Sequence, residues 1–172
     1  SFCCNGVPLS LPASLIKLAI RPNLVFIAVA TTAATPVPVA TLVPMNSISE
    51  VLLVPKITPA PYTQRWFLGV INVRGNLYGI SDIAAYFGNP PTPITAKSRI
   101  LLFSPRLGVN SGLLVSNLLG IRNLNEFKQL EGHDVAHRAI KARQFEDKQD
   151  RLWLELNLRA LIHEQSFIFI GR

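Results

Sequence analysis

Apolar positions along this 172-residue chain come in short runs, and the clearest pattern lies between Trp66 and Gly88, WFLGVINVRGNLYGISDIAAYFG. Phe67, Leu68, Val70, Ile71 and Val73 make a β-prone run too short for a solitary helix, which predicts a mostly buried strand over 67–73. Arg74-Gly75-Asn76 interrupts it. Gly75 can take the positive φ of a tight reversal, so residues 77–81 become the antiparallel partner and the pair a hairpin. Ser81 or Asp82 then caps a short helix over 83–87, which Gly88 closes and Pro90-Pro91 stops.

The same reading extends outward. Residues 39–43 and 48–54 are β-prone runs, with Pro44 marking an edge or bend between them and Glu50 the lone charge in the second. Residues 89–98 are a polar, proline-rich connector, 99–104 a strand, 105–111 a turn, and 112–121 a strand or strand pair punctuated by Gly112 and Gly120. Near the end, Leu152, Leu154, Leu156 and Leu158 alternate with polar or amphipathic residues, predicting a half-buried strand with the leucines on its core face. Trp153 has the opposite parity, so it is expected under a neighbouring helix or partly exposed. A helix over 158–162 follows, capped by Asn157. Many short strands with brief helices predict a mainly β fold of small barrels in preference to a sandwich or a parallel sheet.

Composition changes this picture little. An apolar fraction of 49% argues for a globular chain, and 172 residues suffice for a real core. The formal charge of +7 invites nucleic acid or anionic lipid. Yet the cations are scattered, and over 138–151, where they thicken, Glu146, Asp147 and Asp150 are interleaved with them, which reads as a solvated face and not a phosphate track. The two cysteines, Cys3 and Cys4, are adjacent and form neither a disulfide framework nor a metal quartet.

The first forty residues fit worst. No acidic residue precedes Glu50, and Pro8, Pro12, Pro22, Pro36 and Pro38 break short apolar runs that keep no steady period. Lys17 and Arg21 ahead of the apolar residues 24–30 imitate a secretory signal, but the apolar core is at the short end, and a membrane span needs about 20 apolar residues. Residues 1–37 are therefore set apart as an atypical N-terminal extension, non-native or disordered, and 38–172 as the domain.

Catalytic chemistry has few candidates. His133 and His137 would stand one helical turn apart, as in zinc hydrolases, but Asp134 replaces the expected glutamate and no third ligand is evident. His163 reads as a surface residue. No Gly-x-Ser-x-Gly elbow and no glycine-rich phosphate loop occur, and Asp82, Glu126, Glu131 and Asp134 form no defensible acid and base pair. The expectation is no enzyme, no cofactor and no metal. The alternatives are a basic β-barrel binding RNA or single-stranded DNA, which would need aromatics interleaved with cations on one sheet face, and a zinc hydrolase using His133 and His137.

The residues GVINVRGNLYGISDIAAYFG resemble the signature of the CheW-like adaptor domains of bacterial chemosensory systems: a G-V-x-N-x-R-G turn, a second strand, Asp-Ile and a short helix. Pro44-Met45, Ile48-Ser49-Glu50-Val51-Leu52 and the proline-bracketed 55–61 are similar to that family's first strands and the loop before its hairpin. Trp66 and the ending over 144–161, with five residues between Asp147 and Trp153 (Asp-x-x-x-x-x-Trp) and Asn-Leu-x-Ala-Leu, resemble the PilI branch, which serves type IV pilus twitching motility. Ser116 stands where the family usually has Asp.

The resemblance implies a fold of two five-stranded SH3-like barrels sharing a core. It also implies a non-catalytic, cytoplasmic adaptor at receptor arrays that couples the cytoplasmic tip of a methyl-accepting chemoreceptor to the regulatory domain of a CheA-type histidine kinase, with no nucleic acid and no membrane insertion. Its partner-binding residues would be Arg74 as polar anchor, Gly75 in the turn, Ile48 and Val51 as apolar contact and Glu50 as charge complement. Gly69, Asn72 and Asp82 would have structural roles in the turn and strand pair.

Overall fold

Short apolar runs bounded by proline and glycine fold here into two sheets, because each run is long enough for one strand and too short for a helix. The computed structural model describes residues 25–30, 40–137 and 140–171, with the backbone alone over 131–142. In chain order the strands are β1 Val25–Ala30, β2 Ala40–Pro44, β3 Ile48–Leu53, β4 Phe67–Val73, β5 Asn76–Asp82, β6 Arg99–Phe103, β7 Ser111–Val115, β8 Asn117–Asn123, β9 Lys128–His137, β10 Ile140–Glu146 and β11 Leu152–Glu155. Three one-turn helices, α1 Ile83–Tyr86, α2 Leu158–Leu161 and α3 Gln165–Ile168, complete the elements used below.

One sheet has the order β8-β1-β2-β11-β10-β9 and the other β3-β6-β7-β5-β4. Neighbours are antiparallel except β11 with β2 and β5 with β7, which are parallel. In the five-stranded sheet all strands feed one cluster, Ile71, Ile80, Ile100, Leu102 and Leu114 with Leu52 against them, so the sheet curls around its own interior. The six-stranded sheet does the same around Phe26, Ala28, Leu42, Phe145 and Trp153. A third cluster, in which Ile27, Val29 and Val43 meet Leu101, Phe103, Leu113 and Val115, joins the two subdomains and is closed by Trp66, Tyr86, Leu158, Leu161 and Phe167. The expected mainly β fold of two small curled subdomains sharing a core is present, with six strands in one sheet and five in the other.

The chain changes sheet at Ser116. Its backbone N–H and its hydroxyl both reach the carbonyl of Ala30, at 3.0 and 2.7 Å, holding the end of β7 against β1 while β8 departs into the other sheet. The run 112–121 is thus two strands in two sheets.

Two expectations change. Residues 25–30 fall in the stretch set apart from the domain, yet they form a strand in the sheet, paired with β2 and β8. Phe26 and Ala28 enter one cluster, Ile27 and Val29 the other, so both faces are buried. A strand buried on both faces carries no alternation, which is why its sequence imitates the apolar core of a signal. Residues 1–24 and 31–39, including Cys3 and Cys4, lie outside the described residues.

Leu156 and Leu158 are buried as predicted, but within β11 itself the parity is the reverse of that predicted. Leu152 is exposed, whereas Trp153 and Glu155 are buried. Trp153 packs edge-on against Phe127 at 5.5 Å and its indole N–H donates to Asp147 Oδ2 at 3.0 Å. Glu155 takes a two-pronged ion pair from Arg143, Nη2 to Oε1 at 2.7 Å and Nε to Oε2. An indole and a paired carboxylate win the inward face because each finds its partner there, and the aliphatic alternation is outweighed.

Candidate functional site

The hairpin predicted at Arg74-Gly75 is present, with Val73 opposite Asn76. Arg74 has φ 52° and Gly75 φ 87°, so both turn residues are left-handed, the combination that matches the twist of a two-residue hairpin. A non-glycine residue costs about 1 kcal/mol in this region. Asn72 steadies the turn by accepting the Gly75 N–H on its side-chain oxygen at 2.9 Å.

Beneath the tip, Gly69 has φ 132°, and a Cβ there would lie 2.1 Å from the carbonyl oxygen of Thr58. That space lets Thr58 and Val70 exchange two 2.9 Å backbone hydrogen bonds, so the proline-bracketed loop covers the free edge of β4. At the far end of the hairpin Asp82 is buried and caps α1, accepting from the N–H groups of Ala84 and Ala85. Its carboxylate also accepts the N–H and hydroxyl of Thr92, at 2.6 and 2.8 Å, pinning the connector. Gly69, Asn72 and Asp82 thus brace the hairpin that presents Arg74.

Arg74 Nη2 lies 2.9 Å from Glu50 Oε1, with the guanidinium side chain 77% exposed and the glutamate 32%. β3 and β4 are opposite edges of the five-stranded sheet, so this pair spans the opening of the curled sheet. At such exposure the pair contributes at most about 1 kcal/mol. Both groups are available to a partner with little loss of fold stability.

Beside Glu50 the β3–β6 register slips at Ser49, whose hydroxyl reaches the carbonyls of Leu102 and Phe103. Ile48 is half-buried, packed against the shared core, so much of its apolar surface is used internally. Val51 is exposed, and Leu53, of the same parity, is 69% exposed. Leu53 was not singled out from the sequence, although the i, i+2 spacing from Val51 carries the signal. Leu77, beside the turn, is also exposed. Glu50 shares the parity of Leu52, which packs inside the sheet, whereas Val51 and Leu53 have the opposite parity, so the ion pair and the exposed aliphatic side chains of β3 lie on its two different faces.

Among the described residues nothing comparable assembles for catalysis. Among the described residues no group of three histidine, cysteine, aspartate or glutamate side chains could hold a metal ion. The zinc alternative fails on backbone grounds: Lys128–His137 is a strand, which separates His133 and His137 by about 13 Å of chain instead of one helical turn. Their side chains lie outside the described residues. His163 Nδ1 sits 2.7 Å from the Arg159 carbonyl on the surface. Among the described residues the strand aromatics Phe26, Phe103, Phe145 and Trp153 are buried and Phe67 and Tyr78 are half-buried against the cores, which gives the nucleic-acid alternative no support from a stacking platform. Among the described residues no helix is long and apolar enough to cross a membrane.

Comparison with known proteins agrees with this geometry. A model of the CheW-like domain matches residues 40–166. The chain is 31% identical over 140 residues to protein PilI of Pseudomonas aeruginosa, covering 74% of this chain and 72% of that one. In fold it is similar to the crystal structure of the scaffolding protein TtCheW from Thermoanaerobacter tengcongensis, with a TM-score of 0.63 at 20% identity, covering 78% and 89% of the two chains.

Proposed function

This chain belongs to the CheW-like domain family, and from that premise we propose that it is a non-catalytic chemosensory adaptor of type IV pilus twitching motility. In this reading it holds the cytoplasmic tip of a methyl-accepting chemoreceptor beside the regulatory domain of a CheA-type histidine kinase, in the cytoplasm at receptor arrays. The work done is geometric: two partners held on one small scaffold meet at a high effective concentration. Similarity to PilI supports the twitching pathway over a flagellar one.

The observation that carries the reading is the exposed Arg74–Glu50 pair at the tip of a hairpin held by Gly69, Asn72 and the buried Asp82. A planar guanidinium with unused donors suits a partner's carboxylates or carbonyls. Gly75 shapes the turn, Val51 supplies apolar contact with Ile48 behind it, and Glu50 fixes the register of charge. The test is reconstitution of receptor fragment, kinase and this chain: the kinase should co-sediment with receptor only when the chain is present. Equal recovery without it removes the adaptor reading.

A further inference from the structure

The Arg74 surface belongs to the five-stranded sheet, but the described residues also form a cleft of about 200 Å³ on the other subdomain. It is lined by Arg122 from β8, Glu126 and Phe127 before β9, and Asp147, Lys148, Arg151 and Trp153 from the β10–β11 turn. Phe127 and Trp153 form its aromatic base, and the Arg151 guanidinium lies 5.9 Å from the indole centroid.

The supply of donors and acceptors around this cleft is uneven. Asp147 is saturated: Oδ1 accepts from the N–H groups of Gln149 and Arg151, and Oδ2 from Arg151 Nε and the Trp153 indole. Glu126 is engaged too, with Arg122 Nη1 and the Asn123 N–H, both at 3.4 Å. The cations are less fully engaged: Arg122, half-buried, gives Nη1 to Glu126, Arg151 gives Nε to Asp147 and Nη2 to Gln149, and the exposed Lys148 has no hydrogen bond or ion pair among the described residues. Three cations against two engaged carboxylates leave the cleft with one positive charge in excess, which complements an anionic group from outside, and the volume suits one side chain whose methylenes can rest on the aromatic base.

We propose that this cleft seats an acidic side chain, glutamate or aspartate, from an extended segment of a partner protein. Lys148 and Arg122 meet the carboxylate, Arg151 is held in place by Asp147 and Trp153 to supply a third cation, and Phe127 and Trp153 carry the apolar stem. This inference does not depend on the adaptor reading, since it concerns a different sheet and none of the residues around Arg74. A protein with one charged docking point on each subdomain could nonetheless hold two partners at once.

Fluorescence anisotropy tests it, with a labelled octapeptide of alternating glutamate and glycine against the same peptide with glutamine, on the full chain. The acidic peptide should bind saturably and the glutamine peptide at least tenfold more weakly, with the difference shrinking as salt is raised. Lys148→Glu, at an exposed position outside the hydrogen-bond network, should weaken the acidic peptide about tenfold, and Arg74→Ala should leave it unchanged. Arg122→Glu is the second variant, checked for an unaltered melting curve. Equal binding of the two peptides, absence of saturation, or indifference to both cleft variants overturns the proposal. So does inorganic phosphate that competes as well as the peptide, which would make the cleft a small-anion site.

Discussion

The guanidinium of Arg74 and the carboxylate of Glu50 are 2.9 Å apart although 24 residues separate them, one at a hairpin tip and the other on the strand at the opposite edge of the same sheet. The curl of the sheet brings these edges together, and the left-handed turn aims the arginine across the gap. Because the pair is exposed, its role in the fold and its role in docking can be separated.

Arg74→Ala should change unfolding free energy by no more than about 1 kcal/mol in urea, yet reduce capture of receptor or kinase at least tenfold. The charge exchange Glu50→Arg with Arg74→Glu refines this. If the arginine acts by touching the partner, the exchange restores the internal pair and leaves binding lost. Restored binding would assign the pair a purely internal role.

Gly69→Ala should destabilise the fold by about 2–4 kcal/mol, because the new Cβ meets the Thr58 carbonyl and the backbone must leave φ 132°. The loss should appear in a thermal melt and as faster proteolysis of residues 55–61. An unchanged melt would contradict the covered edge of β4.

Asp147 gives the acid limb of stability a specific contributor. Burial by itself would raise its pKa from 3.8, but hydrogen bonds from the Trp153 indole, the Arg151 and Gln149 backbone and the Arg151 guanidinium outweigh that and lower it to about 2. A carboxylate with a folded pKa below its unfolded one stabilises fully above pH of about 4, and that contribution is lost as pH falls through about 2. Asp147→Asn should therefore flatten stability against pH across this window, measured by denaturant titration at successive pH values. A slope equal to wild type would show the carboxylate titrating normally.

The pair of Arg143 on β10 with Glu155 on β11 tests what a buried carboxylate and its counter-charge contribute. Glu155→Gln should cost about 3 kcal/mol by leaving a partly buried guanidinium without its counter-charge, whereas Arg143→Met with Glu155→Leu together should recover most of the loss. A double-mutant cycle by urea unfolding reads the difference; equal losses in both variants would mean that the cost lies in packing and not in charge.

Phe26→Ala should lower stability by about 3–5 kcal/mol, since Phe26 is fully buried beside Phe145 with ring centroids 6.2 Å apart. A melt unchanged by this substitution would remove Val25–Ala30 from the core.

Much of this was legible from local pattern. The β4–β5 hairpin, its Arg74-Gly75 turn, the Asp82 cap of α1 and the strands at 99–103 and 111–115 follow from runs of apolar residues and the backbone freedom of glycine, which act over a few neighbours. Illegible were features that depend on what lies opposite. β10 lies within 138–151, which reads as a solvated face, yet it is a strand paired on both sides, with β11 and β9. β1 lost its period because both of its faces are covered.

What the sequence by itself determined is the β4–β5 hairpin, the neighbouring runs that become β2, β3, β6 and β7, and the turn that lifts Arg74. Those depend on residue chemistry and neighbouring backbone, which are present in the unfolded chain. Only the tertiary structure decided that Glu50 meets Arg74, that Trp153 and Glu155 turn inward while Leu152 turns out, and that Val25–Ala30 joins the core. Each of these is a choice of contact partner between segments remote in sequence, and burial free energy is realised only when the sheets close around a common interior.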